Sequence, residues 1–274
     1  MYLDNDLLKL ELINEGGEMS RLQYKGRDIL YKGDGPYWKG KNPTLFPMIS
    51  SPDSKKYIYD GKEYFCRNHG IIRYSTLETI INNEKQVTMR LISNEETLKE
   101  YPFNFEYNIT YKLDDNKVLI NYEIINKDIK TMPFTFGLHP GFLVDDIKKI
   151  ELIFPDDEEG QLYNQKTKTT STVKLGTYTN FINDLIGLET VIFKHLKSKY
   201  VILKKSDCLI KVDISKFNYL AIWSANPNAN YICIEPWLSI NDIRHSDNPF
   251  DSKFELEYLK PNEVFKIDYY IELN

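Results

Sequence analysis

Three polar groups stand where an extended, apolar chain has no need of them: His69 in "RNHGIIR" (67–73), His139 in "GLHPGF" (137–142) and Glu235 in "CIEPWLSIND" (233–242). Imidazoles and carboxylates are the side chains that most often pass protons near neutral pH. If "YICIE" (231–235) is a strand, Ile232 and Ile234 share one face while Tyr231, Cys233 and Glu235 share the other, and Glu235 ends the strand before Pro236 stops the ladder. A carboxylate beside aromatics and a thiol is costly unless it is wetted, paired or held as a base with a raised pKa. Two readings stay open for Glu235: an edge glutamate paired with Arg or Lys, or a poised base. His139 is either a core histidine donating to a backbone carbonyl or a group aimed at a pocket by the bent backbone that Gly137, Pro140 and Gly141 impose. His69 is a loop residue beside Gly70, with Arg67 and Arg73 on either side as solvated charges or as site groups.

Other chemistries find little support. There is no glycine-rich phosphate loop, and no two of the 4 histidines stand close enough in sequence for a local metal pair. The 3 cysteines, Cys66, Cys208 and Cys233, are far apart and follow no metal-like spacing. "SINDIRHSD" (239–247) holds Ser, His and Asp but no nucleophile-elbow pattern. Neither a metal nor a cofactor is expected. With 35 basic and 40 acidic residues mixed along the chain, nothing attracts a phosphate backbone, and nucleic acid is excluded as a partner. No stretch approaches the roughly 18 apolar residues of a membrane span, and the acidic start "MYLDNDLLKLE" does not read as a secretory signal. A reducing cytoplasm is the expected location, and oligomeric state is left open.

The elements that must position these groups read as strands. In "FEYNITYKL" (105–113) Phe105, Tyr107, Ile109, Tyr111 and Leu113 alternate with polar residues; "DDNK" (114–117) turns the chain, and "VLINYEIIN" (118–126) returns it, predicting a hairpin with a loop of about four residues. The same alternation appears in "FKIDYYIEL" (265–273) and, in shorter form, at 7–13, 86–93, 148–154, 209–214 and 254–259. The single helical candidate is "NDLIGLETVIF" (183–193), weakened by Gly187. The pattern predicts an all-β chain folded as one antiparallel β-sandwich domain over residues 1–274, with "GDGPYWKGKNP" (33–43) as a loop over one end of a sheet.

Taken in order, "YWKGKNPTLFPMIS" (37–50), "NHGIIR" (68–73), "TFGLHPGF" (135–142) and "YLAIWSANPNANYICIEPWLSIND" (219–242) resemble the aldose 1-epimerase (galactose mutarotase-like) superfamily, and most closely its LacX-type branch. The resemblance implies a large antiparallel supersandwich that binds a free monosaccharide and interconverts its α and β anomers without metal or cofactor. It further implies Glu235 as general base and His139 as general acid, flanking one C–O bond, with His69, Arg73 and Trp223 lining the sugar. Two positions depart from the branch pattern. The branch tends to carry an arginine shortly before the "PTLFP" stretch, where this chain has Gly40 between Lys39 and Lys41, and the family often has Asp in the region of "GLETVIF", where this chain has Glu189. A phosphorylated-sugar epimerase would need a basic cluster, for which Arg67, Lys39 and Lys41 are the candidates. A carbohydrate-binding protein without turnover would keep the same cleft.

Overall fold

Alternation of apolar and polar residues becomes alternation of buried and exposed ones. In the computed structural model, which describes residues 1–52, 54–164, 169–175, 190–240 and 255–274, the strand Phe105–Asp114 buries Phe105, Tyr107, Ile109 and Tyr111 and turns the residues between them outward. It pairs with Lys117–Asn126 in unbroken register from Phe105 opposite Asn126 to Asp114 opposite Lys117. The turn is therefore two residues, Asp115 and Asn116, rather than the four expected. Asp115 takes the left-handed φ of +51° that so tight a connection demands.

This hairpin lies inside an eight-stranded antiparallel sheet that also contains Val87–Ile92, Leu209–Asp213 and Val264–Leu273. A second eight-stranded sheet holds Tyr219–Trp223, Tyr231–Trp237, Gly137–Leu138, Gly141–Leu143 and Thr44–Leu45. A four-stranded sheet closes the N-terminal end of the core. Ile109, Ile120 and Ile271 from the first large sheet and Ile222, Ile232 and Ile234 from the second belong to one continuous cluster of buried apolar side chains. Phe46, next to the strand Thr44–Leu45, packs its ring 5.3 Å from Phe105 of the first large sheet and 5.6 Å from Phe134 of a separate two-stranded sheet. The all-β sandwich expectation holds. Helix is confined to Glu95–Glu100, closed by an Asn94/Thr97 capping box, and two single 3-10 turns among the described residues.

Two expectations need correction. The described part of the helical candidate, 190–193, lies in the strand Thr190–Lys194 paired with Tyr219–Trp223, because Val191 and Phe193 alternate into the core. Its remainder, Glu189 included, lies outside the described residues, as does the Ser/His/Asp cluster beyond Ile240. Pro236 does not end its strand either: the ladder runs through to Trp237, with Pro236 opposite Leu220.

The segment that carries His69 is anchored by its backbone to Phe46. The Phe46 carbonyl accepts from the Ile71 amide at 2.7 Å, and Phe46 forms an isolated parallel bridge with Gly70. Gly70 has φ +74°, and a Cβ there would stand 2.2 Å from the Phe46 oxygen. Gly70→Ala should therefore cost about 1–3 kcal/mol or more, from strained backbone and forced separation together. A urea unfolding midpoint lowered at unchanged m-value would show it.

Candidate active site

Gly137–Leu138 and Gly141–Leu143 both pair with the strand Tyr231–Trp237, Gly137 opposite Trp237 and Gly141 opposite Cys233. Both pairings follow the same register, so the two residues between them continue it: the Pro140 carbonyl accepts from the Ile234 amide at 3.2 Å, and His139 falls opposite Glu235. Directly opposed residues in an antiparallel ladder point to the same face. His139 Nε2 accordingly stands 3.4 Å from Glu235 Oε1, in contact though longer than a well-formed hydrogen bond.

The residues on either side of His139 on that face are glycines, and their missing side chains are filled by indoles. A Cβ on Gly137 would lie 2.6 Å from Trp237 Cδ1, and one on Gly141 would lie 2.7 Å from Trp38 Cζ3. Trp38 stacks on the His139 ring with centroids 4.9 Å apart, while Trp223 meets His139 edge-on at 5.6 Å. His139 is 6% exposed and Glu235 2%. His69 stands at right angles to His139, ring centroids 5.4 Å apart, in a left-handed backbone conformation of φ +67°. Its Nδ1 is bonded to the Ile49 carbonyl. A neutral ring with the proton on Nδ1 keeps Nε2 as an acceptor.

Burial sets the protonation of the pair. It pushes the Glu235 carboxyl well above the ordinary carboxylate range; the Trp237 indole N–H faces it and pulls the other way, though not in a geometry that makes a hydrogen bond. Burial likewise pulls His139 well below the ordinary imidazole range, helped by His69 and then by Arg73. His69 is lowered to about 3 by burial first and the Arg73 charge second. Burial thus favours the neutral form of both groups, and His139 Nδ1 has no hydrogen-bond partner among the described residues.

Three donors, His139, Cys233 and Glu235, have ligand atoms within 4.8 Å of one another. Sequence spacing concealed this cluster because register, not chain distance, assembles it. Burial raises the Cys233 thiol as well as Glu235, so a cation bound there would have to displace protons from both.

The sequence-derived set therefore separates. His139, Glu235, His69 and Trp223 converge. Among the described residues Glu235 has no Arg or Lys partner and His139 Nδ1 has no hydrogen-bond partner, and the histidine bonded through its ring to a backbone carbonyl is His69. Arg73 is half-buried and close enough to act on both histidines, and it makes no ion pair among the described residues. Arg67 leaves the set: its guanidinium forks onto Glu100, Nε to Oε2 at 2.9 Å and Nη2 to Oε1 at 2.5 Å, and its face covers Tyr74 at 4.4 Å. Lys39 is exposed and Lys41 half-buried. Trp38 and Trp237 were not singled out in the sequence, where a tryptophan in a turn-rich loop or after a proline carries no distinguishing mark.

The sequence profile of the aldose 1-epimerase family matches residues 1–271. The chain belongs to the aldose 1-epimerase family. Among curated relatives, the plasmid-encoded protein LacX of Lactococcus lactis subsp. lactis is 29% identical over 296 residues, covering 99% of this chain and 98% of LacX, and the chromosomal LacX is 28% identical over the same span. Among solved structures, a galactose mutarotase-like protein from Lactobacillus casei superposes with a TM-score of 0.92 at 24% identity, covering 100% of this chain and 99% of that one. A galactose mutarotase related enzyme from Lactobacillus acidophilus gives 0.91 at 24% identity, with 100% and 97% covered. This family member sits in the LacX branch, and its fold is the galactose mutarotase-like sandwich.

The histidines make stability depend on pH in a direction that follows from burial. Below about pH 6.5 the unfolded chain takes up a proton at His69 that the folded chain refuses until about pH 3, so His69 costs stability as pH falls. Glu235, raised instead, acts in the opposite sense: its contribution is present below its ordinary value and is lost as pH rises through the folded one. His69→Asn, a residue that tolerates the left-handed backbone, isolates the first effect. The wild type should lose ground to this variant as pH drops from about 6.5 toward 3, by at most ~1.4 kcal/mol per pH unit and less because the ring edge meets solvent. Urea titrations at several pH values measure it.

Proposed function

We propose that this family member is an aldose 1-epimerase, an isomerase that opens and recloses the ring of a free monosaccharide with Glu235 and His139 as its proton-transfer pair. The observation that carries this reading is their contact at 3.4 Å on a dry, aromatic-walled sheet face. The two oxygens that exchange protons in mutarotation, the anomeric hydroxyl and the ring oxygen, are bonded to the same carbon. Partners in contact suit them better than partners spaced to straddle a ring.

Glu235 takes the proton of the anomeric hydroxyl as His139, carrying the shared proton, donates to the ring oxygen. The bond between anomeric carbon and ring oxygen breaks, leaving an open-chain aldehyde. Rotation about the adjacent carbon–carbon bond presents the other face of the carbonyl, and closure with the two roles reversed gives the other anomer. The proton count is conserved throughout, so the pair ends as it began. His69 offers an acceptor nitrogen to a sugar hydroxyl, Arg73 offers donors, and Trp223 supplies an apolar wall for the C–H side of the ring.

A free sugar suits the site better than a phosphorylated one, because Arg67, one of the three cations available for a phosphate, is committed to Glu100. Retention of sugar binding without any rate effect would instead mark a binding protein.

NMR exchange spectroscopy on a panel of aldoses tests the assignment. Acceleration over buffer is expected for at least one sugar, with Glu235→Gln and His139→Gln each slower by roughly 10²–10⁴-fold. Burial moves the two groups in opposite directions, so the acid limb of the rate profile should lie below the ordinary imidazole range and the alkaline limb above the ordinary carboxylate range, as a pH series of the same exchange measurement would show.

A further inference from the structure

A pair that is buried and in mutual contact cannot receive a sugar ring as it stands, so whatever covers it must move. The cover over His139 is Trp38. Its indole lies nearly parallel to the imidazole, interplanar angle 24°, meets Trp223 edge-on at 5.8 Å and leans on Tyr231 at 5.3 Å.

The loop that carries Trp38 is closed by glycines. Gly33 has φ +70°, and a Cβ on it would lie 2.6 Å from the Lys39 carbonyl oxygen and 3.1 Å from that of Gly40, so the two ends of the segment 33–40 touch. A short surface loop with adjoining ends moves as one body about its neck. Its hydrogen bonds to described residues outside the loop converge on a single atom: the Gly35 amide donates to the Tyr31 hydroxyl at 2.8 Å, and that hydroxyl donates to the Trp38 carbonyl at 2.8 Å. Tyr31 is fully buried and stacked on Tyr231 at 4.4 Å, a fixed post to which the loop is tied. The indole itself rests between Gly40 and Gly141, whose missing side chains leave it a slot with no Cβ in the way. Gly40 thus answers to Trp38: a Cβ there would stand 2.5 Å from the indole Cζ2.

We propose that Trp38 is the access-determining residue of this site: the loop 33–40 lifts about its glycine neck, carries the indole off His139 and admits a sugar ring to the pair beneath. The inference rests on the sugar-epimerase reading for its ligand, but the motion has a reporter of its own. Cys233 is fully buried on the same face, in a cluster with Tyr31 and Tyr231 against which Trp38 and Trp223 pack. A small alkylating reagent reaches its sulfur only when that cover opens. Cys66, equally buried in a separate cluster with Met48 and Tyr57, reports on general loosening.

The experiment is iodoacetamide labelling of the full chain, resolved by peptide mass spectrometry. Tyr31→Phe keeps the ring stack and removes both loop ties, and should speed alkylation of Cys233 roughly five- to thirtyfold while Cys66 is unchanged. Trp38→Ala should speed it at least as much. Unaltered Cys233 labelling in both variants, or Cys66 accelerating in parallel, would overturn the proposal. Fast Cys233 labelling in the variants with no sugar mutarotated by the wild type leaves the gate standing and removes the epimerase reading; normal wild-type mutarotation with unaltered labelling in the variants does the reverse.

Discussion

The site depends on a cross-strand register. Gly137 opposite Trp237 and Gly141 opposite Cys233 leave His139 no position but that facing Glu235, on a face from which water is excluded. No loop conformation has to be chosen to bring His139 and Glu235 together; the hydrogen-bonded ladder of the central sheet does so. The alternation of glycine, histidine and glycine on that face makes room for two indoles that wall the pair in. A one-residue slip would send His139 and its flanking glycines to the opposite face.

Dryness gives the pair its chemical character. In water the carboxyl would be ionised near neutral pH and the imidazole only partly protonated, whereas burial drives both toward neutrality and brings their proton affinities to favour a proton on the carboxyl rather than on the ring. Such a pair can give a proton at one oxygen and take one at its neighbour with no net change, as hemiacetal opening requires. The neighbouring cations are placed so that they do not spoil this balance. Arg67 is neutralised by Glu100 and braces the His69 loop against the short helix, and Arg73 favours neutral histidines by its charge.

Most of the fold was legible because half-buried strands write their burial into the chain with a period of two, as Phe105 to Tyr111 and Val264 to Leu273 do. The candidate residues stood out for the converse reason: Glu235 and His139 are polar where the alternation wants apolar groups. What the chain could not show is set by long-range geometry. That His139 and Glu235 touch rather than straddle a ring, that Cys233 joins them and that Trp38 covers them all depend on register and loop closure between segments about a hundred residues apart or more. Pro236 misled because a proline normally ends a ladder, and Arg67 because its partner Glu100 belongs to a helix that carries no strong periodic signal.

The central claim is that Glu235 and His139 act as a unit on the sugar, and a double-mutant cycle measures this most directly. Mutarotation by the Glu235→Gln/His139→Gln double variant, followed by NMR exchange beside the two single variants, should be no slower than the slower single, because removing either partner already disables the proton exchange. Losses that multiply would show two groups working independently, and a double variant as fast as the wild type would show that neither takes part.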